Sequence, residues 1–196
     1  MTDVFPTDVF DVITGRRTTK LLVEPGPTPE EIAQLVLAAE CAPDYNELRP
    51  WRLVAIQGDA LAGLGEAFAA SARPRAEAMG MDPEALAAKA RGKFARAPFV
   101  LAVVGTPRKH RKVRYEDQVA SAAAAAQNVL LAATALGYGS IWRTDAEAED
   151  EGVHAALGLE EGDLVVGFLH IGTVPDGEGR APRLPRGDRV SFLLPA

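Results

Sequence analysis

Residues 163–174 read Asp-Leu-Val-Val-Gly-Phe-Leu-His-Ile-Gly-Thr-Val, and residues 99–106 read Phe-Val-Leu-Ala-Val-Val-Gly-Thr. Both runs are apolar, rich in β-branched residues and bounded by glycine or proline, which is typical of strands buried inside a sheet. Two shorter segments, 52–57 and 140–144, predict further strands. The chain is therefore expected to build a sheet of four or five strands.

Helical patterns fill the spaces between these strands. Thr28-Pro29-Glu30-Glu31 is a capping box with proline at the first helical position, and it predicts a helix over 28–41. An alanine-rich segment at 59–95 predicts a helical insertion over the sheet, and a long helix is predicted at about 116–136. A short helix at 7–15 would have Thr7 as its N-cap and would place Val9, Phe10, Val12 and Ile13 on one side.

Composition sets the class of protein. The 196 residues carry a net charge of -6 and include one cysteine and three separated histidines, so a structural metal site and disulfides are not expected. The acidic balance argues against nucleic acid as a partner. The start of the sequence does not resemble a secretory signal, and the apolar stretch 119–142 contains Gln127 and Asn128. We expect one soluble, cytoplasmic domain over 1–196 that does not insert into a membrane.

Several catalytic motifs are missing from the sequence. It contains no phosphate-binding G-x-x-x-x-G-K-[ST] loop, no H-E-x-x-H and no G-x-S-x-G. Gly137-Tyr138-Gly139 starts a G-x-G, but Trp142 stands where the dinucleotide fingerprint needs its third glycine. If the protein is an enzyme, a bound cofactor is expected to carry the chemistry, and the protein to supply binding and electrostatics.

Three polar constellations remain. The run Arg16-Arg17-Thr18-Thr19-Lys20 fits a phosphate, since arginine offers a fork of donors, although it also suits a helix C-terminus. The proline-bounded loop at 43–50 fits a binding loop or an ordinary connection with Trp51 in the core. The segment 137–144 would bring backbone amides and Trp142 to a strand end, or would simply stop a helix.

Three other features have open readings. The basic run 108–114 is interpreted as a solvated loop, a docking site for a nicotinamide phosphate or a nucleic-acid contact. By itself, Cys41 predicts a small buried residue at a helix end. His170 predicts a strand-end histidine that makes a hydrogen bond.

Together and in this order, the motifs resemble those of the nitroreductase family of flavin mononucleotide (FMN) enzymes. Arg16 to Lys20 match the family's R-R-[ST]-x-[RK], while Ala42-Pro43 and Pro50-Trp51 match part of its second motif. Gly137 to Trp142 resemble G-[LYF]-G-[ST]-x-W, and Leu157 to Gly172 resemble its last motif. The similarity covers about residues 8–175 and is greatest to a branch of small NAD(P)H nitroreductases.

The resemblance implies a set of cofactor-binding residues. Arg16 and Thr18 would hold the FMN phosphate, with Arg17 alongside, and Lys20 would lie near flavin N1 and O2. The ring would contact a glycine-rich turn and a loop from a second subunit, in which two family serines are replaced here. The implied set is Arg16, Arg17, Thr18, Lys20, Cys41, Pro43, Asp44, Tyr45, Asn46, Trp142, Arg143 and Thr144.

The resemblance also implies fold and activity. The fold would be α+β, with a mainly antiparallel sheet flanked by helices, in an intertwined homodimer. NADPH or NADH would reduce FMN, which would then reduce a small-molecule acceptor such as a nitroaromatic or quinone, in a ping-pong hydride mechanism without a catalytic side chain. The insertion at 59–95 would cover the active site. The tail at 175–196 would pack on the partner subunit, and Arg180, Arg183 or Arg186 would add to phosphate binding. The alternative is a flavin-binding sensor or interaction protein without turnover.

Overall fold

A computed structural model describes residues 8–175 and contains a four-stranded antiparallel sheet. The strands are β1 (Trp51–Gln57), β2 (Phe99–Gly105), β3 (Gly139–Arg143) and β4 (Leu164–Gly172), in the order β1-β2-β4-β3. The prediction of an α+β fold is confirmed, and each predicted strand is present with its bounds shifted by at most two residues.

The two central strands explain the long apolar runs. All seven residues of β2 are buried, and β4 is buried along most of its length. A strand covered on both faces cannot alternate apolar and polar residues, so its sequence reads as a continuous apolar run. β1 and β3 lie at the edges, where polar residues such as Arg52 and Arg143 occur.

Six α-helices surround the sheet within the described residues. α2 begins with the predicted capping box, in which Thr28 Oγ1 accepts from the Glu31 backbone and the Glu31 carboxylate accepts from the Thr28 backbone. α1 is capped by Asp8, and the predicted cap Thr7 lies outside the described residues. The helices are α1 (Val9–Gly15), α2 (Pro29–Glu40), α3 (Asp59–Ala78), α4 (Pro83–Arg91), α5 (Tyr115–Ala135) and α6 (Glu151–Ala156).

The helices form a layer on each face of the sheet. α2 and α5 cover one face, where Leu101 and Leu169 pack against a row of buried α5 alanines. α3, α4 and α6 cover the other face around Phe94, whose ring lies edge-on to Phe168 at 5.1 Å between centroids. Small alanine side chains let α5 approach the sheet closely, which explains its unusual composition.

Three predictions concern the outer parts of the chain, namely α1, a membrane span and the tail. Only Val12 of α1 is buried, while Val9, Phe10 and Ile13 are exposed, because α1 lies over α5 with one narrow face. Over residues 8–175, the structure contains no helix with the length and apolarity that a membrane span requires. The predicted tail, with Arg180, Arg183 and Arg186, falls outside the described residues.

Candidate functional site

The cationic segment 16–20 is joined to the edge of the sheet. Thr18 forms a parallel bridge with Ser140, the second residue of β3, and the Thr19 backbone N–H donates to the Ser140 carbonyl at 2.9 Å. Thr19 is buried, whereas Thr18 and Lys20 are exposed. Two motifs that are far apart in the sequence are therefore adjacent in space.

Gly139 makes this close approach possible. A Cβ at this position would lie 2.8 Å from Leu22 Cδ2 and 3.0 Å from Thr19 Oγ1. Contacts this short require the neighbouring atoms to shift. The glycine that begins β3 therefore serves to seat the segment that contains Arg16 to Lys20.

The predicted residues of β3 lie on different faces of the sheet. Trp142 packs over Gly167 on the α5 side, and its indole N–H donates to the Val166 carbonyl at 3.1 Å. Arg143 lies on the opposite face, where its side chain is only 13% exposed. Its Nη1 is 3.9 Å from Asp145 Oδ2. Thr144 follows the strand and is exposed. Trp142 thus has a packing role.

Three of the four unsatisfied buried polar atoms among residues 8–175 lie on β3 and its neighbour β4, and the fourth is Trp51 Nε1 on β1. Ser140 Oγ, Arg143 Nε and His170 Nδ1 are buried and have no hydrogen-bond partner among the described residues. Buried polar atoms are normally paired, so such a group points to an unfilled interaction. His170 pairs with Ile141 in the β3–β4 register. The hydrogen bond expected of this histidine is not made by Nδ1.

His170 is held neutral by its surroundings. Burial lowers its pKa to about 3, and the nearby cations Arg143, Arg96 and Lys93 act in the same direction. Its ring stacks on Phe94 with 6.5 Å between centroids. A neutral imidazole in this place packs against aromatic side chains and is not poised to transfer protons at neutral pH.

A second predicted region, the loop at 43–49, lies against the first half of α5. Pro43, Asp44 and Tyr45 line a pocket of about 470 Å³ together with three small residues of α5, namely Ala120, Ser121 and Ala124. The pocket is apolar and open to solvent. Tyr45 is 56% exposed and is available to a ligand or a second protein surface.

The same loop has a strained backbone. Asn46, Glu47 and Arg49 have φ values of 71°, 52° and 45°, in the left-handed region that favours glycine. Such conformations persist where the surroundings impose them, and they occur often at functional sites. Here the Asp44 carboxylate accepts from the Arg49 backbone, and Arg108 donates to the Leu48 carbonyl at 2.6 Å.

The loop and the cationic segment lie towards opposite ends of α5. The loop contacts the helix around Ser121, and the helix ends at Ala135, just before the turn that leads to Ser140. At 1.5 Å per residue, this part of α5 spans roughly 20 Å. Within one chain, the structure does not bring these two sets of predicted residues together.

Cys41 lies in a third location, apart from the cationic segment and the loop. It is exposed, which contradicts the prediction of a buried residue, because the helix end at which it sits is not covered by other elements of the described chain. With Val9, Ile13 and Leu131 it lines a groove of about 530 Å³ between α1, α2 and α5. It contributes neither to the loop pocket nor to the bridge at Ser140.

The basic run 108–114 is an ordered loop ahead of α5. Gln118 is buried and exchanges two hydrogen bonds with the Arg108 backbone, while Arg114 pairs with Asp117 at 2.7 Å. Lys109, Arg111 and Lys112 are exposed. The loop therefore displays its charges to solvent and touches the loop at 43–49 through Arg108.

A charged cluster that no sequence pattern predicts lies beyond the end of β3. Lys93 donates to Asp145 at 2.9 Å and to Glu147 at 3.2 Å, and Glu147 is only 1% exposed. The hydrogen bond from Lys93 lowers the pKa of Asp145. No local pattern signals this cluster, because Lys93 follows α4 and its partners follow β3.

The fold and the motifs match known proteins. A model of the nitroreductase family matches residues 13–173. An Escherichia coli K12 protein named "Putative NAD(P)H nitroreductase YdjA" is 36% identical over 166 residues, which are 85% of this chain and 88% of that protein. The chain belongs to the nitroreductase family. The predictions of the family and of an oxidoreductase are thereby confirmed.

Further relatives cover nearly the full length of this nitroreductase-family chain. A Haemophilus influenzae protein named "Putative NAD(P)H nitroreductase" is 29% identical over 188 residues, which are 95% of this chain and 100% of that protein. The crystal structure of a nitroreductase-like protein from Bacillus cereus has a TM-score of 0.78 at 24% identity, covering 97% and 98% of the two chains. A Bacteroides fragilis nitroreductase with bound FMN has a TM-score of 0.71 at 19% identity, covering 96% and 100%.

Proposed function

We propose that the protein is an FMN-dependent oxidoreductase that uses NADH or NADPH to reduce nitroaromatics, quinones or similar electrophiles. The names of its relatives and the FMN in structures of the same fold support this proposal. Bound FMN would supply the redox chemistry by accepting a hydride and passing electrons to a second substrate in a ping-pong sequence.

The observation that carries the proposal is the bridge between Thr18 and Ser140. It lines up the donor-rich segment 16–20 with the strand that leads to Trp142, Arg143 and Thr144. Arginine and threonine donors match a phosphate, and a lysine beside them favours negative charge on a neighbouring group. The family motifs at 16–20 and 137–144 are therefore adjacent at Ser140 in this chain, which supports the proposal.

The residues at this surface fit FMN. Arg16, Arg17 and Thr18 would hold the phosphate, and Lys20 would stabilise the negative charge that the reduced ring carries. The buried hydroxyl of Ser140 has no partner in the described part of the chain, so a polar group of a ligand could satisfy it. Side chains here bind and orient, and we assign no proton transfer to any of them.

We further propose that the functional unit is a homodimer. α1 and α2 expose Val9 (62%), Phe10 (71%), Ile13 (50%) and Leu37 (65%), and residues 8–175 of one chain leave these apolar side chains uncovered. Exposed apolar patches of this kind mark association surfaces. Within one chain, the loop and the cationic segment are separated. A second copy would bring its own loop, with Pro43, Asp44, Tyr45 and Asn46, to the cationic segment of the first.

An anaerobic titration tests the proposal. Purified protein should be yellow, should lose its colour on addition of NADH or NADPH, and should recover the colour when a nitroaromatic or a quinone is added. Protein that stays colourless after incubation with FMN contradicts the proposal. Protein that is yellow but is not bleached by either nucleotide would instead be the flavin-binding sensor or interaction protein.

A further inference from the structure

The basic run at 108–114, called the basic loop from here on, is a charged surface to which the proposed flavin site assigns no role. Together with the first turn of α5 it contains five arginines and lysines against two carboxylates, Glu116 and Asp117. The neighbouring loop at 43–49 adds two carboxylates and one arginine, so an excess of about two positive charges remains. A local positive surface on a protein with a net charge of -6 suits an anionic ligand.

Two of the five cations are already engaged by the protein. Arg108 donates to the Leu48 carbonyl at 2.6 Å, and Arg114 pairs with Asp117 at 2.7 Å. The other three are exposed and form no ion pair among residues 8–175, and they are Lys109, Arg111 and Lys112. Their charge is therefore available to a ligand.

The backbone of the basic loop is held in place, so these side chains extend from a fixed position. The buried Gln118 side chain exchanges two hydrogen bonds with the Arg108 backbone. The His110 ring nitrogen Nδ1 accepts from the backbone N–H groups of Lys112 and Val113 at 3.2 and 3.1 Å, and Val113 is buried. A ligand that pairs with the lysines therefore has to order only side chains, which lowers the entropy cost of binding.

The basic loop also lies beside the loop at 43–49, which it contacts through Arg108. Tyr45 and Ser121 line the open pocket between that loop and α5. Ser121 is six residues beyond the start of α5 at Tyr115, so roughly 9 Å of helix separate it from the end of the basic loop. In the function proposed above, the loop at 43–49 contributes to a flavin site, and the basic loop would flank that site.

We propose that the basic loop binds the 2′-phosphate of NADPH through Lys109 and Lys112, with Arg111 adding to the positive potential, and that the enzyme therefore prefers NADPH to NADH. The two nucleotides differ only in this phosphate, which lies on the adenosine half, away from the nicotinamide ring. A phosphate monoester carries nearly two negative charges at neutral pH, and lysine is a flexible point charge that suits such a group near solvent. The proposal rests on the proposed function, because it places the nucleotide beside the flavin.

Calorimetric titration of the oxidised holoenzyme with NADP⁺ and with NAD⁺ tests the site without turnover. NADP⁺ should bind at least about tenfold more tightly at low salt, and rising salt should reduce the difference because the charges are exposed. Lys109→Gln and Lys112→Gln should each weaken NADP⁺ binding by about threefold to tenfold and leave NAD⁺ binding unchanged.

The matched control is Lys89→Gln, which removes the same charge from an exposed position of α4, on the opposite face of the sheet. Its affinity for both nucleotides should be unchanged. Equal affinity of the unmodified protein for NADP⁺ and NAD⁺, an equal loss of both in the two loop variants, or the same loss in Lys89→Gln would overturn the proposal.

The failure of this proposal and the failure of the proposed function give different results. If the protein holds FMN and is bleached by NADH or NADPH but shows any of the overturning results, only the assignment of the basic loop fails. If the protein takes up no flavin but still prefers NADP⁺ through Lys109 and Lys112, the phosphate site stands and the proposed function fails.

Discussion

The cationic segment at 16–20 matches its family motif at every position and the loop at 43–49 only in part, and the tertiary structure also treats the two regions differently. The segment is fixed to β3 by backbone hydrogen bonds and by a glycine that allows close packing. The loop is held by the hydrogen bond from the Arg49 backbone to the Asp44 carboxylate and by Arg108, and it has three non-glycine residues with positive φ. One region is an extension of the sheet, whereas the other is a strained loop that faces outward.

This difference suggests how a site can be divided between two chains. The segment presents donors on a rigid edge, and the loop presents an exposed tyrosine at the far end of α5. In the function proposed above, each region would supply only part of the flavin site. Pairing two copies would place a rigid half from one chain against an adaptable half from the other.

The largest effect is expected where the segment is seated. Gly139→Val should reduce FMN affinity by at least about 100-fold, because its side chain would collide with Leu22 and Thr19 and displace the donors. Fluorescence titration with FMN measures this. Gly63→Ala is the control, since a Cβ at Gly63 meets nothing within 4 Å, and its affinity should be unchanged. Normal FMN affinity in the Gly139 variant would show that the bridge is not part of the site.

A smaller effect is expected from one phosphate contact. Arg16→Gln should weaken FMN binding by about 10- to 100-fold, the range for a lost charge-assisted hydrogen bond, and should leave binding of riboflavin unchanged because riboflavin has no phosphate. Arg111→Gln, at an exposed position in the loop at 108–114, is the matched control. An equal loss of FMN and riboflavin would mean that Arg16 supports the fold instead of the phosphate.

The free energy of unfolding should also depend on pH, because the sheet to which the cationic segment is joined contains His170. The pKa of His170 is about 3 in the folded protein and about 6.5 when unfolded, so the unfolded chain binds the proton between these values. The contribution of neutral His170 is therefore complete above pH 6.5 and is lost as the pH falls towards 3, by about 1.4 kcal/mol per pH unit. Urea unfolding at several pH values measures this loss.

His170→Leu serves as the reference for that experiment. The variant should lose less stability on acidification, and the difference between the two proteins should open below about pH 6.5. Acid-labile pairs such as Lys93–Asp145 are common to both and cancel. Parallel pH profiles for the two proteins would contradict a depressed pKa.

The experiment with the smallest expected signal tests whether the cationic segment and the loop of one flavin site come from different chains. A chain carrying Arg16→Gln and a chain carrying Tyr45→Ala, each with a different affinity tag, should give a heterodimer with one intact flavin site out of two. The heterodimer, isolated by both tags, should bind about half as much FMN with native affinity as the unmodified dimer does. If both regions served the same site within one chain, neither site would recover native affinity.

Much of the architecture could be predicted from local sequence. The capping box at Thr28 and Glu31 and the apolar runs of β2 and β4 report their own structure, because caps and buried strands depend on neighbours close in the chain. The family resemblance added the prediction of which segments belong to a site. It implied that the loop would come from a second subunit, but it did not indicate that Thr18 bridges to Ser140, and Cys41 proved to be exposed in a separate groove.

Contacts between segments that are far apart in the sequence could not be predicted from local patterns. Nothing near Trp142 indicates that its indole packs over Gly167, and nothing near Lys93 indicates that it neutralises the buried Glu147. By itself the sequence determined the strands, the helix start at Thr28 and the family, because each of these depends on short patterns of neighbouring residues. Only the tertiary structure decided that Thr18 meets Ser140 while the loop at 43–49 lies elsewhere, because chain folding sets which distant backbone groups find each other.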